Sequence, residues 1–583
     1  MITTISLELY YLAPMMIIGC AIIILFFLLL LISNARLCSL FSIVSLFIAL
    51  FCTILLGAQL HHGELQKSLA SEKHLILSTP STMTKNQLDD KNVKSKNFSL
   101  KEKNETRKSV SQSVSQMQQS QERIKDKLAH KQVVVESKNT KIKYTWQAMY
   151  VTALFTSDAY ALLYTGLILV ISIVVASFAS SWFKLNNFNQ GLFFLILLFS
   201  VLGGVILVYS SHLISLFIGI ELLSTPLIGL IGFQYRQNNS LEATIKYMVL
   251  SAVATAFLLL GIAFYYAATG ELTFSGLSFQ LSTQPQPNVL LLTGVCLMLV
   301  GIGFKLSLVP FQLWLPDVFQ GAPTAISLFL STIGKSAVFC SIARLFLLAP
   351  IVNNESIQLI VVIMAFSSIL FGNFFALMQN NIKRLIAYAS ITNYGYLFVA
   401  LIAVQYQVLA LETIGIYLVG YVLSNVCVFG AISLESSAIQ TRDKGMIADL
   451  RGLFWRKPVV ATTMAIGLLS FAGIPLTIGF IGRFLLILLS VTAQLWWLIA
   501  AIVIGTVFGF YFYLRLVINL YIRDGKPDIV VKSSNKQACT VFHMRMLTIN
   551  EIILVTAAVL ILFCGIYPQL LLFLVSSARY LIP

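Results

Sequence analysis

At 583 residues, 58% of them hydrophobic and with a mean hydropathy of +0.87, the chain is too apolar for a water-solvated domain, where roughly 45 to 50% is usual. Its net charge of +16 does not describe a phosphate-binding face. Residues 61–148 hold 17 of the 39 Lys and Arg against 9 of the 23 Asp and Glu, and most other basic residues are spread over short loops, which argues against a nucleic-acid partner.

Apolar runs long enough to cross a hydrocarbon core about 30 Å thick recur along the whole chain. They predict an all-α polytopic membrane protein with about 14 transmembrane helices: 11–33, 37–60, 158–183, 190–210, 212–233, 243–267, 289–310, 323–349, 355–378, 384–405, 408–437, 458–490, 494–521 and 549–577. No Lys or Arg precedes the first run, so the basic region of a cleavable signal is missing and the N-terminus is expected to be retained. Alternate connections carry the basic residues: Arg36, Lys184, Arg236, Lys383 and Arg384, then Arg442, Lys444, Arg451, Arg456 and Lys457, then Arg523, Lys526, Lys532, Lys536 and Arg545. By the positive-inside rule these loops are expected to be cytoplasmic and both termini periplasmic.

Three regions follow: two helices in 1–60, a polar basic insertion in 61–148, and a helical core in 149–583. The insertion falls on the periplasmic side, where a loop longer than about 60 residues translocates largely regardless of charge. It is rich in Ser, Gln, Lys and Glu and poor in aromatic residues, so it is expected to be disordered or loosely helical.

The eight cysteines (Cys20, Cys38, Cys52, Cys296, Cys340, Cys427, Cys539 and Cys564) are scattered, with no C-x-x-C pair. They read as small apolar residues. No Gly-rich turn in a βαβ unit offers a dinucleotide site, so neither a cofactor nor a metal is expected in this chain.

Ionisable residues inside spanning helices carry the chemistry, because each costs ~2.5 to 3.5 kcal/mol at the centre of an isolated inserting helix. Glu221 lies in helix 5, Lys305 in helix 7, Lys335 in helix 8 and Arg483 in helix 12. All four are expected to face one another or a hydrated interior. Arg344 and Arg515, nearer helix ends, read as snorkelling side chains. Pro310 and Pro323 bracket a non-helical link after helix 7, and Pro475 interrupts helix 12. Interruptions at corresponding places in two halves point to an ion path, here in two inverted five-helix repeats, helices 4 to 8 and 9 to 13.

Four stretches carry a resemblance: LFIGIELLSTPLIGLIGFQYRQNNSLEATIKYMVLSA, GFKLSLVPFQLWLPDVFQGAP, QNNIKRLIAYASITNYGYLFVALIA and RGLFWRKPVVATTMAIGLLSFAGIPLTIGFIGRF. In this order they resemble the subunit N family of bacterial NADH-quinone oxidoreductase (complex I), counterpart of mitochondrial NADH dehydrogenase subunit 2. The likeness runs from about residue 150 to the end and more weakly over the first two helices. It implies an antiporter-like, proton-translocating subunit whose partners are other membrane subunits of complex I and the lipid bilayer. NADH, FMN, iron-sulfur clusters and quinone would belong to the rest of the complex.

The resemblance further implies that Glu221 pairs with Lys305 and tunes it, and that Lys335 passes protons toward the other half-channel. Glu242, Lys246 and Tyr388 match further polar positions. Physically this is coherent, since burial disfavours the charge of a lysine and a nearby carboxylate favours it. The chain departs from the family at Gln312 and Asn393, where histidines occur, and at Arg483, where a lysine is usual. The rival reading is a subunit of a multisubunit sodium/proton antiporter. Those proteins typically carry histidines in helix 8 where this chain has the Ser331–Lys335 stretch. A non-transporting scaffold would leave the four deep charges unexplained.

Deleting residues 66 to 140 is expected to leave quinone reductase activity in membranes largely intact, because loop length is tolerated outside a packed core. Loss of assembly would make the insertion a partner-binding element.

Overall fold

The structure, a computed structural model, describes residues 10–31, 35–77, 149–183, 189–276, 289–349, 354–404, 409–436, 445–523 and 548–577. The insertion from residue 78 on, Cys539, and the loop residues Lys184, Arg442, Lys444, Lys526, Lys532, Lys536 and Arg545 lie outside the described residues.

The helical bundle comprises α1 (Ala13–Leu31), α2 (Ala35–Leu77), α3 (Ala159–Phe183), α4 (Gln190–Tyr209), α5 (Leu213–Ile231) and α6 (Asn238–Thr269). Helix 7 is split into α7a (Val289–Leu306) and α7b (Trp314–Gly321). Then come α8 (Thr324–Leu348), α9 (Glu355–Leu377), α10 (Ile382–Ala403) and α11 (Leu409–Ser436). Helix 12 is split into α12a (Pro458–Ala472) and α12b (Ile478–Thr492), followed by α13 (Trp496–Tyr521), α14 (Ile549–Ile566) and α15 (Gln569–Ser577).

Among the described residues, 13 helices are long and apolar enough to cross a membrane. Two shorter apolar helices, α12a and α12b, lie where the sequence predicts the twelfth crossing. The chain is thus a multi-pass membrane protein. Two boundaries differ from expectation. The second helix continues to Leu77, and the last is cut at Tyr567 and Pro568, where proline has no backbone N–H to continue the ladder.

Local chemistry sets the ends. Asn354 accepts from the N–H groups of Ser356 and Ile357 to start α9, and Asn381 does the same for Lys383 and Arg384 at α10. Thr548 and Glu551 form a capping box at α14.

Helices 4 to 8 and 9 to 13 form two inverted repeats, and the extensive pairings recur between them: α4 on α5 and α9 on α10, α6 on α7a and α11 on α12a. Bare backbone makes the α6–α7a contact close. A Cβ at Gly294 would stand 2.9 Å from the Gly261 carbonyl oxygen, and one at Gly301 2.9 Å from that of Ala254. Small residues let helices approach where lipid supplies no hydrophobic drive.

A short hairpin, β1 (Met149–Thr152) and β2 (Phe155–Ser157), precedes α3 and was not expected from the sequence pattern. It anchors Arg344. The guanidinium donates to Asp158 Oδ1 at 2.7 Å and to Thr156 Oγ1 at 2.8 Å, with the Tyr160 ring 5.2 Å away. Arg344 is 1% exposed, so the snorkelling expectation is wrong for it. A buried carboxylate, invisible to a count of residues from the helix end, holds it inside.

Breaking such a pair from one side costs about 3 to 5 kcal/mol, because an unpaired charge stays buried. Arg344→Met is therefore expected to lower the folded yield and thermal stability in detergent, and Arg344→Met with Asp158→Asn to recover much of the loss. A single variant as stable as the parent protein would contradict the structural role of the pair.

Candidate functional site

The first half of the site forms where α5, α6 and α7a meet. Lys305 occupies the last turn of α7a, where carbonyl groups without intrahelical partners favour a cation. Beyond it the backbone turns at Ser307, with φ +55°, a conformation sparsely populated by residues other than glycine. Trp314 closes the break by donating its indole N–H to the Phe304 carbonyl at 3.0 Å. Lys305 is buried and donates to Ser251 Oγ at 2.7 Å. Glu221, half-buried on α5, has Oε1 2.7 Å from Thr255 Oγ1 and Oε2 3.3 Å from Thr225 Oγ1. Thr255 Oγ1 also lies 2.9 Å from the Ser251 carbonyl. Glu221 and Lys305 thus form no direct ion pair; one turn of α6 stands between them.

Lys335 lies where the two halves join. It follows a π-helical turn, Leu330–Gly334, within α8, a local widening frequent at functional sites. At 2% exposure its ammonium donates to Ser307 Oγ and, at 2.8 Å, to Ser390 Oγ, while the Tyr394 ring lies 5.1 Å away. Among the described residues no carboxylate reaches it. The break after Lys305 supplies one of its partners, and Ser390 is in turn 2.8 Å from the Tyr421 hydroxyl.

Arg483 occupies the second break. Gly473 and Leu476 take φ +74° and +76°, with Pro475 between them. Arg483 reaches back from α12b and donates to the Ala472 carbonyl at 2.8 Å and to that of Phe471. The positive group sits on the negative end of the α12a dipole, over the Tyr396 ring at 5.6 Å. It is 8% exposed, which excludes snorkelling. Between Arg483 and Tyr421 lies a cavity of about 10 Å³ whose lining includes Asn393, Tyr417, Ser424 and Ser470, close to the space of one water. The Tyr417 hydroxyl donates to Asn393 Oδ1 at 2.6 Å.

Of the other expected positions, Glu242 and Lys246 are an ion pair at 2.6 Å. Lys246 also meets Asp317 at 2.7 Å, and Asp317 meets Arg384 at 2.7 Å. Sequence reading missed Asp317, and it counted Arg384 only as a topology marker. The available signal was an acid lying between Pro310 and Pro323. Lys383, also read as a loop residue, is 1% exposed and donates to the Ala322 carbonyl at the end of α7b. Gln312 Oε1 is buried without a partner. Tyr388 stacks on Phe375 at 5.7 Å and joins no charged group. Pro310 lies within the helix-7 break and Pro323 precedes the first turn of α8. Glu435, also unforeseen, is 4% exposed and lies 3.2 Å from Lys457 and 3.6 Å from Arg456.

The fold recurs in solved membrane complexes. A chain of respiratory complex I from Thermus thermophilus with bound aureothin is 24% identical, covering 96% of this chain and 98% of that one at a TM-score of 0.67. A chain of the membrane-bound sulfane sulfur reductase, an archaeal respiratory membrane complex, is 23% identical over 73% of this chain and 82% of that one, at 0.62. One from the Mrp complex of Dietzia sp. is 17% identical over 73% and 84%, also at 0.62. At these identities the likeness establishes the fold. The family follows from residues 210–509, which match the family described as NADH:quinone oxidoreductase/Mrp antiporter, TM, and span both broken helices and all four deep charges: the chain belongs to that family.

Proposed function

We propose that this chain is the subunit N member of a bacterial respiratory NADH-quinone oxidoreductase, that it lies in the inner membrane with both termini periplasmic, and that it carries protons driven by electron transfer in other subunits. What supports the reading is one observation above others: the succession of buried polar groups from Lys305 and Ser251, through Ser307, Lys335, Ser390 and Tyr421, to the cavity beside Arg483. Each cation is solvated by hydroxyls, aromatic faces or carbonyl ends, which can be exchanged for water as a proton arrives or leaves.

Glu221, displaced from Lys305 by the Thr255 and Ser251 turn, acts as the adjustable element. A shift of the carboxylate toward Lys305 favours the charged lysine, and a shift away releases its proton toward Lys335. The Glu242, Lys246, Asp317 and Arg384 cluster lies at the half-exposed end of α6 and serves uptake. A guanidinium is not deprotonated in proteins, so Arg483 acts as a fixed charge that repels a proton arriving at Lys335 instead of carrying one. Histidine-free Ser331–Lys335 favours subunit N over a sodium/proton antiporter subunit.

Lys305→Met is expected to leave the bundle folded and to reduce NADH-driven proton pumping strongly in inverted vesicles. Normal pumping would remove Lys305 from the path. Sodium-dependent proton exchange without NADH oxidation in the parent protein would favour the antiporter reading.

For Arg483, charge and helix capping separate by substitution. Arg483→Lys is expected to keep pumping. Arg483→Met is expected to lose much of it, and Arg483→Gln likewise, although glutamine can still donate to carbonyl groups. Full pumping in the glutamine variant would show that capping alone is needed.

A further inference from the structure

The arginines Arg344, Arg384 and Arg483 each close on a carboxylate or on carbonyl groups. Arg515, on α13, does not. It is exposed, it lies within a spanning helix, and among the described residues it has no hydrogen bond or ion pair. An ionised group within a spanning helix is costly without a partner, and none of the described residues supplies its counter-charge.

Arg515 borders a groove of about 860 Å³ along α13. Val507, Phe510 and Leu514 form an apolar wall that leads from Arg515 toward the middle of the helix. From Val507 to Arg515 the wall runs ~12 Å at 1.5 Å per residue, comparable with one leaflet of a core ~30 Å thick. Donors line the groove as well: the amide of Asn380 and the phenol of Tyr511, one turn before Arg515, are exposed and have no hydrogen-bond partner among the described residues, and no Asp or Glu lines the groove. Arg451 and Arg523 stand at the same end of α13, near Asn519, whose carbonyl accepts from Gly452, and Trp455, whose indole lies under Arg523.

We propose that this groove binds one anionic phospholipid, its phosphate held by Arg515 with Asn380 and Tyr511, and an acyl chain laid along Leu514, Phe510 and Val507. A carboxylate from a neighbouring helix would satisfy Arg515 but would leave the amide and phenol without acceptors, whereas a phosphodiester offers several oxygens. The open apolar wall fits an alkyl chain.

The test reconstitutes the full chain into phosphatidylcholine vesicles doped with a photoreactive phosphatidylglycerol, and maps the adduct after illumination. The adduct is expected on residues 507–523, to fall about fivefold in Arg515→Gln, the worth of one basic residue against an anionic headgroup, and to persist in Arg515→Lys and in excess inorganic phosphate. Equal labelling by a photoreactive phosphatidylcholine, or an unchanged adduct in Arg515→Gln, overturns the site. So does near-complete crosslinking of Val507→Cys to a neighbouring subunit in native membranes, which would make the occupant a protein.

Discussion

Three cationic side chains, Lys305, Lys335 and Arg483, lie inside a lipid-solvated bundle with no carboxylate of the described residues in ion-pair contact, and the rest of the site is arranged to make that tolerable. Charges at such depth persist only where the chain replaces water. Both interrupted helices serve this end. The break after α7a exposes the Ser307 hydroxyl to Lys335, and the break after α12a exposes two carbonyl groups to Arg483. Regular helices would have kept those carbonyls within their own ladders.

Much of this was legible from residues alone. Hydropathy located all 13 long spanning helices among the described residues because lipid demands about 20 apolar residues per span, and prolines placed the interruptions of helices 7 and 12. The deep charges stood out because they are expensive. Other features were hidden for definite reasons. Arg344 finds Asp158 from 186 positions away, and no periodicity encodes such a partner. The π turn before Lys335, all of whose residues are buried, carries no mark such as a proline or glycine pair that would announce a widened turn in sequence. Asp317 and Arg384 were visible as residues but not as neighbours, since α7b and α10 meet only in the fold. Glu221 illustrates the opposite case: its presence in helix 5 was plain, yet its displacement from Lys305 by a turn of α6 was not.

The same fold occurs in a respiratory oxidoreductase, a sulfane sulfur reductase complex and an Mrp complex, so architecture alone does not select among chemistries. The features on which the proposed reading rests are local: the hydroxyls and tyrosines around Lys335 and the guanidinium at position 483. On the proposed reading, both features move the burden of proton transfer onto groups that need water between them. The small cavity beside Tyr421 is where such a molecule would fit.

The capping contact of Arg483 also has a mechanical meaning. Its side chain grows from α12b yet closes on the carbonyls of α12a, so the two half-helices are latched across their own gap. Any swing of α12b must either drag α12a along or pull the charge off its dipole. Motion of that segment and the electric field inside the second half of the bundle are therefore a single variable.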